Sequence, residues 1–228
     1  MTTFHTPVRM PVDAVIWDYN GVLGLQPEHA MWVGLADLAG WPVGQVPAFQ
    51  AEFWRRREAY DAGELADHAF WSRLLRGGRV APPGSALLDA LRRADTGMWT
   101  RTDPAVMEVL RAVQASGTPQ AVLSNAPHVL ADALERTSWC STLVAKAVFS
   151  ARIGVNKPDA RAYEAALVAL GWPSPERILF VDDRLDNCKA AERLGMRTVH
   201  YTGDPQALVR ELPDLPQLQS PAVARATA

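Results

Sequence analysis

The sequence predicts an α/β protein: a parallel sheet core with a helical domain inserted after its first strand. Three observations predict it. Short β-branched, apolar runs alternate with helical stretches along most of the chain, the pattern of βαβ units and a parallel sheet. Several of those runs stop at Asp, Ser or Asn, residues suited to a strand end and poor inside one. Between the first run and the second, roughly 65 residues carry helical periodicity and no strand candidate.

The elements follow in order. Val12–Asp18 (VDAVIWD) is read as a buried strand, and Tyr19–Leu25 as a glycine-containing loop. The inserted stretch offers helices at Glu28–Ala39, Val46–Tyr60, Leu65–Arg76 and Ser85–Arg93. They are separated by Gly40-Trp41-Pro42, Gly63, Gly77-Gly78 and Pro82-Pro83-Gly84. Asp103 and Pro104 suit the N-cap and first position of a helix that runs to Ser116. Gln120–Leu123 is a short strand ending in Ser124-Asn125, Val129–Arg136 a helix, and Ala147–Phe149 another short strand. Ala160–Leu170 is a helix closed by Gly171. Arg177–Val181 is the clearest buried strand and runs into Asp182-Asp183. Leu185–Leu194 is a helix ended by Gly195, and Thr198–Tyr201 is a last strand. The resulting division is a Rossmann-like core over residues 10–25 and 96–212, a helical cap over 26–95, and a Pro/Ala/Gln-rich tail, 213–228, read as mobile. Gly24–Pro27 and Asp95–Thr100 are the two connections between core and cap, and read as hinges for a closing motion.

Composition narrows the function. The chain has 228 residues, a net charge of −2, 48% apolar residues and eight Trp, an ordinary soluble globular balance. That length buries one sizeable core, or a core carrying a smaller domain. With no basic surplus, binding to nucleic acid by phosphate neutralisation is excluded as the expected function. No apolar run approaches the roughly 18–20 residues of a membrane helix, so no membrane partner is expected. Met1–Met10 lacks the apolar stretch of a signal peptide. Cys140 and Cys188 form no metal or redox spacing, which suits a reducing compartment, and a cytoplasmic location is expected.

Open parallel sheets place their sites beyond the carboxyl ends of the strands. Here those ends carry Asp18, Ser124-Asn125 and Asp182-Asp183, and Lys157 stands in Asn156-Lys157-Pro158-Asp159 just before a helix. A lone strand-end acid is commonly a cap or turn former. Three carboxylates, a Ser and a Lys at one edge point instead to a site. Clustered buried acids need a cation, and oxygen ligands with few His or Cys indicate Mg²⁺.

With these pieces in place, the sequence resembles the haloacid dehalogenase-like hydrolase superfamily. The matching motifs are Trp17-Asp18-Tyr19-Asn20-Gly21-Val22-Leu23, Leu123-Ser124-Asn125, Asn156-Lys157-Pro158-Asp159 and Phe180-Val181-Asp182-Asp183, in the family's order and at its spacings. The helical insertion is similar to that family's cap, and Arg57–Leu65 is similar to cap sequences of its phosphatase branch. The stretch from Asn156 to Tyr201 resembles the phosphatase domain of soluble epoxide hydrolases and small sugar phosphatases. The resemblance covers roughly residues 10–210 and is specific through four motifs together.

The resemblance implies a Mg²⁺-dependent hydrolase acting on a small phosphorylated metabolite. It implies Asp18 as a nucleophile that forms an aspartyl-phosphate. Asp183 would ligate Mg²⁺ directly and Asp182 through a water, alongside Asp18 and the backbone carbonyl of Asn20. Ser124 would bond a phosphoryl oxygen with Asn125 as a nearby donor, and Lys157 would neutralise nucleophile and phosphoryl group. Asp186 is either a supporting acid or a helix cap. Of the histidines, His128 is best placed to reach substrate. Trp32, Phe53, Trp54, Phe70 and Trp71 read as cap core, with one or two on the pocket wall.

Asn20 departs from the pattern. Phosphatases of the superfamily carry an Asp two residues after the nucleophile, which protonates the leaving oxygen and then deprotonates water. An amide has no proton to exchange near neutral pH. Metal and phosphate affinity are expected to survive at Asn20, while acid–base catalysis, worth about 10²–10⁴-fold, is not. Three alternatives stay open: a haloacid dehalogenase, a related enzyme with different chemistry and a good leaving group, or a catalytically weakened phosphate-binding protein.

Overall fold

The computed structural model describes residues 12–75 and 84–212. The chain runs β1 (Ala14–Trp17), α1 (His29–Leu38), α2 (Val46–Asp61), α3 (Asp67–Leu74), α4 (Ser85–Trp99) and α5 (Pro104–Ala115). It continues with β2 (Gln120–Ser124), α6 (His128–Glu135), α7 (Ser138–Leu143), β3 (Lys146–Phe149), α8 (Ser150–Ile153) and α9 (Ala160–Ala169). β4 (Ile178–Asp182), α10 (Leu185–Arg193), β5 (Arg197–His200) and α11 (Pro205–Glu211) complete it.

The five strands form one parallel sheet in the order β3-β2-β1-β4-β5. β1, β2 and β4 are buried along their whole length, which explains their near-continuous apolar runs. Side chains alternate between the two faces. Val15 and Trp17 join Val122, Leu179 and Val181 on the face covered by α5, α6 and α11. Ala14 and Ile16 join Ala121, Ile178 and Phe180 on the face covered by α9 and α10. The Trp17 indole N–H donates to Gln120 Oε1 at 3.0 Å, and Gln120 Nε2 donates to the carbonyls of Leu110 and Leu143, so a buried amide ties two strands to the helical layer.

The expected elements form, with two differences. Asp103 caps α5 as its position suggested, accepting from the N–H groups of Ala105 and Val106. The short helices α7, α8 and α11 were not anticipated; each is too brief for periodicity to reveal. α4 runs on to Trp99, through the Asp95-Thr96-Gly97 that read as a hinge. Packing overrides weak propensity there: Asp95 is buried and bonds Arg57 and the Trp99 indole.

The two cap connections are stitched together further along. Leu25 N–H donates to Arg101 O at 2.9 Å, Asp103 N–H donates to Leu23 O at 2.8 Å, and Gly24 bridges Thr102 antiparallel. Gly24 is required by close approach, because a Cβ there would lie 2.8 Å from the Tyr19 ring. The cap helices pack around an aromatic cluster that includes Trp32, Phe49, Phe53, Phe70 and Trp71; Trp32 meets Phe53 edge-on at 5.1 Å.

No described helix is long and apolar enough to cross a membrane. The readings made for Met1–Met10, Gly77-Gly78 and the tail 213–228 lie outside the described residues.

Candidate active site

The parallel register aligns the strand ends. Trp17 sits beside Val122 and Val181, so the residues that follow, Asp18 and Asp182, emerge side by side, with Ser124 ending the neighbouring strand. Lys157 reaches between the two acids. Its buried Nζ donates to Asp18 Oδ1 at 2.6 Å and to Asp182 Oδ2 at 2.7 Å. Asn125 holds this lysine by its backbone, accepting from Lys157 N–H at 2.8 Å and donating to Lys157 O at 2.9 Å. Both ends of the Asn125 amide are thereby committed to Lys157.

Asp182 is completely buried and saturated. Its Oδ1 accepts from Arg184 N–H and Asn187 Nδ2, and its Oδ2 accepts from Lys157 and Asn187. Asp18 Oδ1 is taken by Lys157, while Oδ2 carries no hydrogen bond among the described residues. Burial is the largest influence on Asp18 and raises its pKa; Lys157 opposes this and Asp182 adds to it, leaving the group at about 7. Burial also raises half-buried Asp183, with Asp182 adding to the shift. Burial disfavours the Lys157 ammonium, but the two carboxylates outweigh it and the net shift is upward.

Oxygens of Asp18, Asp182 and Asp183 lie within 4.8 Å of one another. The loop after β1 folds tightly against them. Gly21 has φ +87°, and a Cβ there would lie 2.2 Å from Asp183 Oδ2, so both conformation and space demand glycine. Around this cluster, Asn20 Oδ1, Ser124 Oγ, Asn156 Oδ1 and Asn187 Oδ1 are buried without hydrogen-bond partners among the described residues. Such groups are costly to bury unpaired, and here they surround a site built to receive a polar ligand.

Core and cap enclose a cavity of about 620 Å³. Asp18, Asn20, Asn125, Lys157 and Asp183 form its core wall; Trp54, Arg57, Glu58, Asp61 and Trp99 form its cap wall. The C-terminal end of α2 is bonded directly to the core, at the loop before α9 and at the start of α8. Asn156 Nδ2 donates to Glu58 O at 2.8 Å, and Ser150 Oγ donates to Asp61 O at 2.5 Å. Arg57, buried in the cap, donates from Nε to Asp61 Oδ1 at 2.7 Å and from Nη1 to Asp95 at 3.3 Å. Its guanidinium also lies 5.0 Å over the Phe53 ring. Burial raises the Asp61 carboxyl to about 7 against the pull of Arg57, with Asp95 adding to the rise.

The structure thus brings Asp18, Asn20, Asn125, Lys157 and Asp183 to one cavity, with Ser124 and Asp182 buried just behind. Asp186 pairs with exposed Arg184 at the surface. His128 meets Arg152 at 3.0 Å and is not on the cavity wall. Of the aromatic residues singled out, Trp54 lines the cavity, and Trp32, Phe53, Phe70 and Trp71 are buried in the cap. Sequence reasoning missed Arg57, Asp61 and Trp99 as site residues. The available signal was an opposite-charge pair four residues apart on an aromatic-rich helix.

Comparison with known proteins follows the same lines. A sequence model of the haloacid dehalogenase-like hydrolase family matches residues 12–195. The chain is 30% identical over 203 residues to the sesquiterpene phosphatase astK of Aspergillus oryzae, covering 89% of this chain and 95% of that one. It is 30% identical over 216 residues to phosphatase MT3486 of Mycobacterium tuberculosis, at 90% and 96% coverage. A shorter match, 30% over 88 residues and 39% of this chain, is to an (S)-2-haloacid dehalogenase of Pseudomonas fluorescens, 38% of which it covers. Among solved structures, HAD family enzyme bt-2542 of Bacteroides thetaiotaomicron, in complex with magnesium and inorganic phosphate, superposes with a TM-score of 0.66. It is 18% identical, with 85% of this chain and 96% of that chain covered.

Proposed function

The chain belongs to the haloacid dehalogenase-like hydrolases, and from that premise we propose that it is a Mg²⁺-dependent phosphatase of small phosphate monoesters. The observation that carries the reading is the split state of Asp18: Lys157 holds Oδ1 while Oδ2 is left for chemistry at the cavity wall. Two relatives that match nearly the whole chain are named as phosphatases.

The residues present fit a magnesium ion. The donor set is oxygen only, and Asp18 and Asp183 stand within ligand reach of each other at the cavity. The backbone carbonyl of Asn20 would complete the protein's share, and Asp182, with both oxygens already bonded, would support the site from behind. Bound there, Mg²⁺ would supply charge neutralisation for the phosphoryl oxygens.

The chain's own residues do the rest. Asp18 Oδ2 attacks phosphorus, giving an aspartyl-phosphate that water then hydrolyses. Lys157 fixes the nucleophile's orientation and offsets its charge beside an incoming dianion, at a site where low solvent access strengthens the effect. Ser124 Oγ, buried and with no hydrogen bond among the described residues, donates to a phosphoryl oxygen. The cap wall, with Trp54 and Trp99, receives the leaving group and excludes water. The substrate is a small phosphorylated metabolite; neither nucleic acid nor membrane is a partner.

A dehalogenase reading is favoured by Asn20, because a departing halide needs no proton. Against it stands Asp183, a second carboxylate on the cavity wall beside Asp18, for which metal-free chemistry has no use. One panel separates the two. Aryl, alkyl and sugar phosphates and 2-halocarboxylates are assayed with Mg²⁺ and with EDTA, using wild type and Asp18→Asn. Phosphate release that needs both Mg²⁺ and Asp18 is the expected result. Halide release insensitive to EDTA would establish the dehalogenase instead.

A further inference from the structure

We propose that Asp61, on the cap wall of the cavity, is the general acid and base of this reaction, doing from the cap what Asn20 cannot do from the core. The inference rests on the phosphatase reading above.

In-line displacement sets the direction. Asp18 approaches phosphorus from the sheet edge, so the leaving oxygen departs on the opposite side, toward the cap. The acids on that wall are Glu58 and Asp61, both from α2. Glu58 is exposed, whereas Asp61 is buried and fixed at two points. Arg57 Nε holds its Oδ1, and Ser150 Oγ holds its backbone carbonyl to the core. Oδ2 carries no hydrogen bond among the described residues and belongs to a side chain on the cavity wall.

The charged groups acting on Asp61 are Arg57 on its own helix and Asp95 on α4; Glu58, Asp18, Lys157 and Asp183 line the same cavity, and His128 lies beside Gly63, two residues on. Burial outweighs the Arg57 attraction, and a carboxyl poised at about 7 is suited to give a proton and take it back near neutral pH.

The steps balance. The Asp18 carboxylate bonds to phosphorus as the P–O bond to the leaving group breaks, and the protonated Asp61 carboxyl gives its proton to that oxygen, releasing a neutral alcohol. Asp61, now a carboxylate, then takes a proton from water as the water oxygen bonds to phosphorus. The Asp18–phosphorus bond breaks, phosphate leaves, and both acids return to their starting states.

The test uses the full chain with Mg²⁺ and compares p-nitrophenyl phosphate, whose leaving group needs no proton, with glycerol phosphate. Wild type, Asp61→Asn, Asp95→Asn, Asn20→Asp and Asn20→Asp/Asp61→Asn are assayed from pH 5 to 9. Asp61→Asn should lower kcat/KM for the alkyl ester about 10²–10⁴-fold, leave the aryl ester within about tenfold, and abolish the fall in alkyl activity above neutral pH. It should release nitrophenolate in a burst, since the phosphoenzyme lacks its base. Asn20→Asp should add little alone and restore alkyl hydrolysis in the double variant. Asp95 also pairs with Arg57 but is off the cavity wall, so Asp95→Asn should not distinguish the esters.

Equal losses on both esters in Asp61→Asn, or a leaving-group-selective loss in Asp95→Asn, would overturn the inference while leaving the phosphatase reading intact. Should Asp61→Asn fail to fold, Asn20→Asp decides alone: a gain above about 100-fold on the alkyl ester means no acid was in place, and the inference is wrong. Hydrolysis of neither ester by wild type removes the phosphatase reading and this inference with it.

Discussion

The side chain of Asn125 grips Lys157 at both ends of its backbone, accepting from its N–H and donating to its carbonyl at 2.8 and 2.9 Å. Lys157 in turn joins Asp18 to Asp182. An amide at the end of one strand thereby aims a cation from a distant loop at the nucleophile of the next strand. Asn125→Ala should cost about 1–3 kcal/mol, two hydrogen bonds at roughly 0.5–1.5 each. Activity should fall further than stability explains, because the lysine loses its aim. Thermal unfolding measured beside kcat on an aryl phosphate checks this; unchanged kcat in a folded variant would show that Lys157 is held by its ion pairs alone.

Metal binding should depend on Asp183. Mg²⁺ at about 100 times its Kd stabilises a folded site by roughly 2.7 kcal/mol. Wild type should therefore rise in Tm with Mg²⁺, and Asp183→Ala should not. A calorimetric titration that gives both proteins the same affinity would remove Asp183 from the metal site.

Gly21 should be intolerant for two separate reasons. At φ +87° any other L residue is strained by roughly 1–2 kcal/mol, and the new Cβ would press on Asp183 Oδ2. Gly21→Ala should lower Tm and also weaken Mg²⁺ binding. Loss of stability with unchanged Mg²⁺ affinity would mean that the loop shifts without moving Asp183.

Asp61 gives a pH signature in the folded protein. Its pKa is raised from 3.8 to about 7, so the native state holds a proton there that the unfolded chain has released. The stability this provides is fully present below the unfolded value and is lost as pH rises to about 7. Asp61→Asn carries no such dependence. Its Tm should gain on wild type between pH 5 and 8 in metal-free buffer, and parallel Tm curves would show that burial does not hold Asp61 protonated.

Legibility tracked sequence distance. Four of the five strands could be read because each carries a short apolar run, the fifth because it follows a helix ended by Gly195, and Asp18, Lys157 and Asp182-Asp183 because strand ends and a loop before a helix mark them locally. The Asp103 cap was visible for the same reason. What joins residues far apart was not. Asn125 read as a substrate donor because its partner, Lys157, lies 32 residues away. The extension of α4 through Asp95 depends on Arg57, 38 residues earlier. Asp61 was not singled out at all, because what places it is the contact of the folded cap with the core, where Ser150 holds it from 89 residues away.

The most direct consequence of this chemistry is a covalent bond to Asp18. Wild-type protein turning over p-nitrophenyl phosphate with Mg²⁺ is quenched in acid, digested and analysed by mass spectrometry. The predicted result is one phosphoryl group on the peptide that contains Asp18, absent without Mg²⁺ and absent from Asp18→Asn, which also loses turnover. Sustained phosphate release from Asp18→Asn, or phosphoryl transfer to another residue, would contradict it.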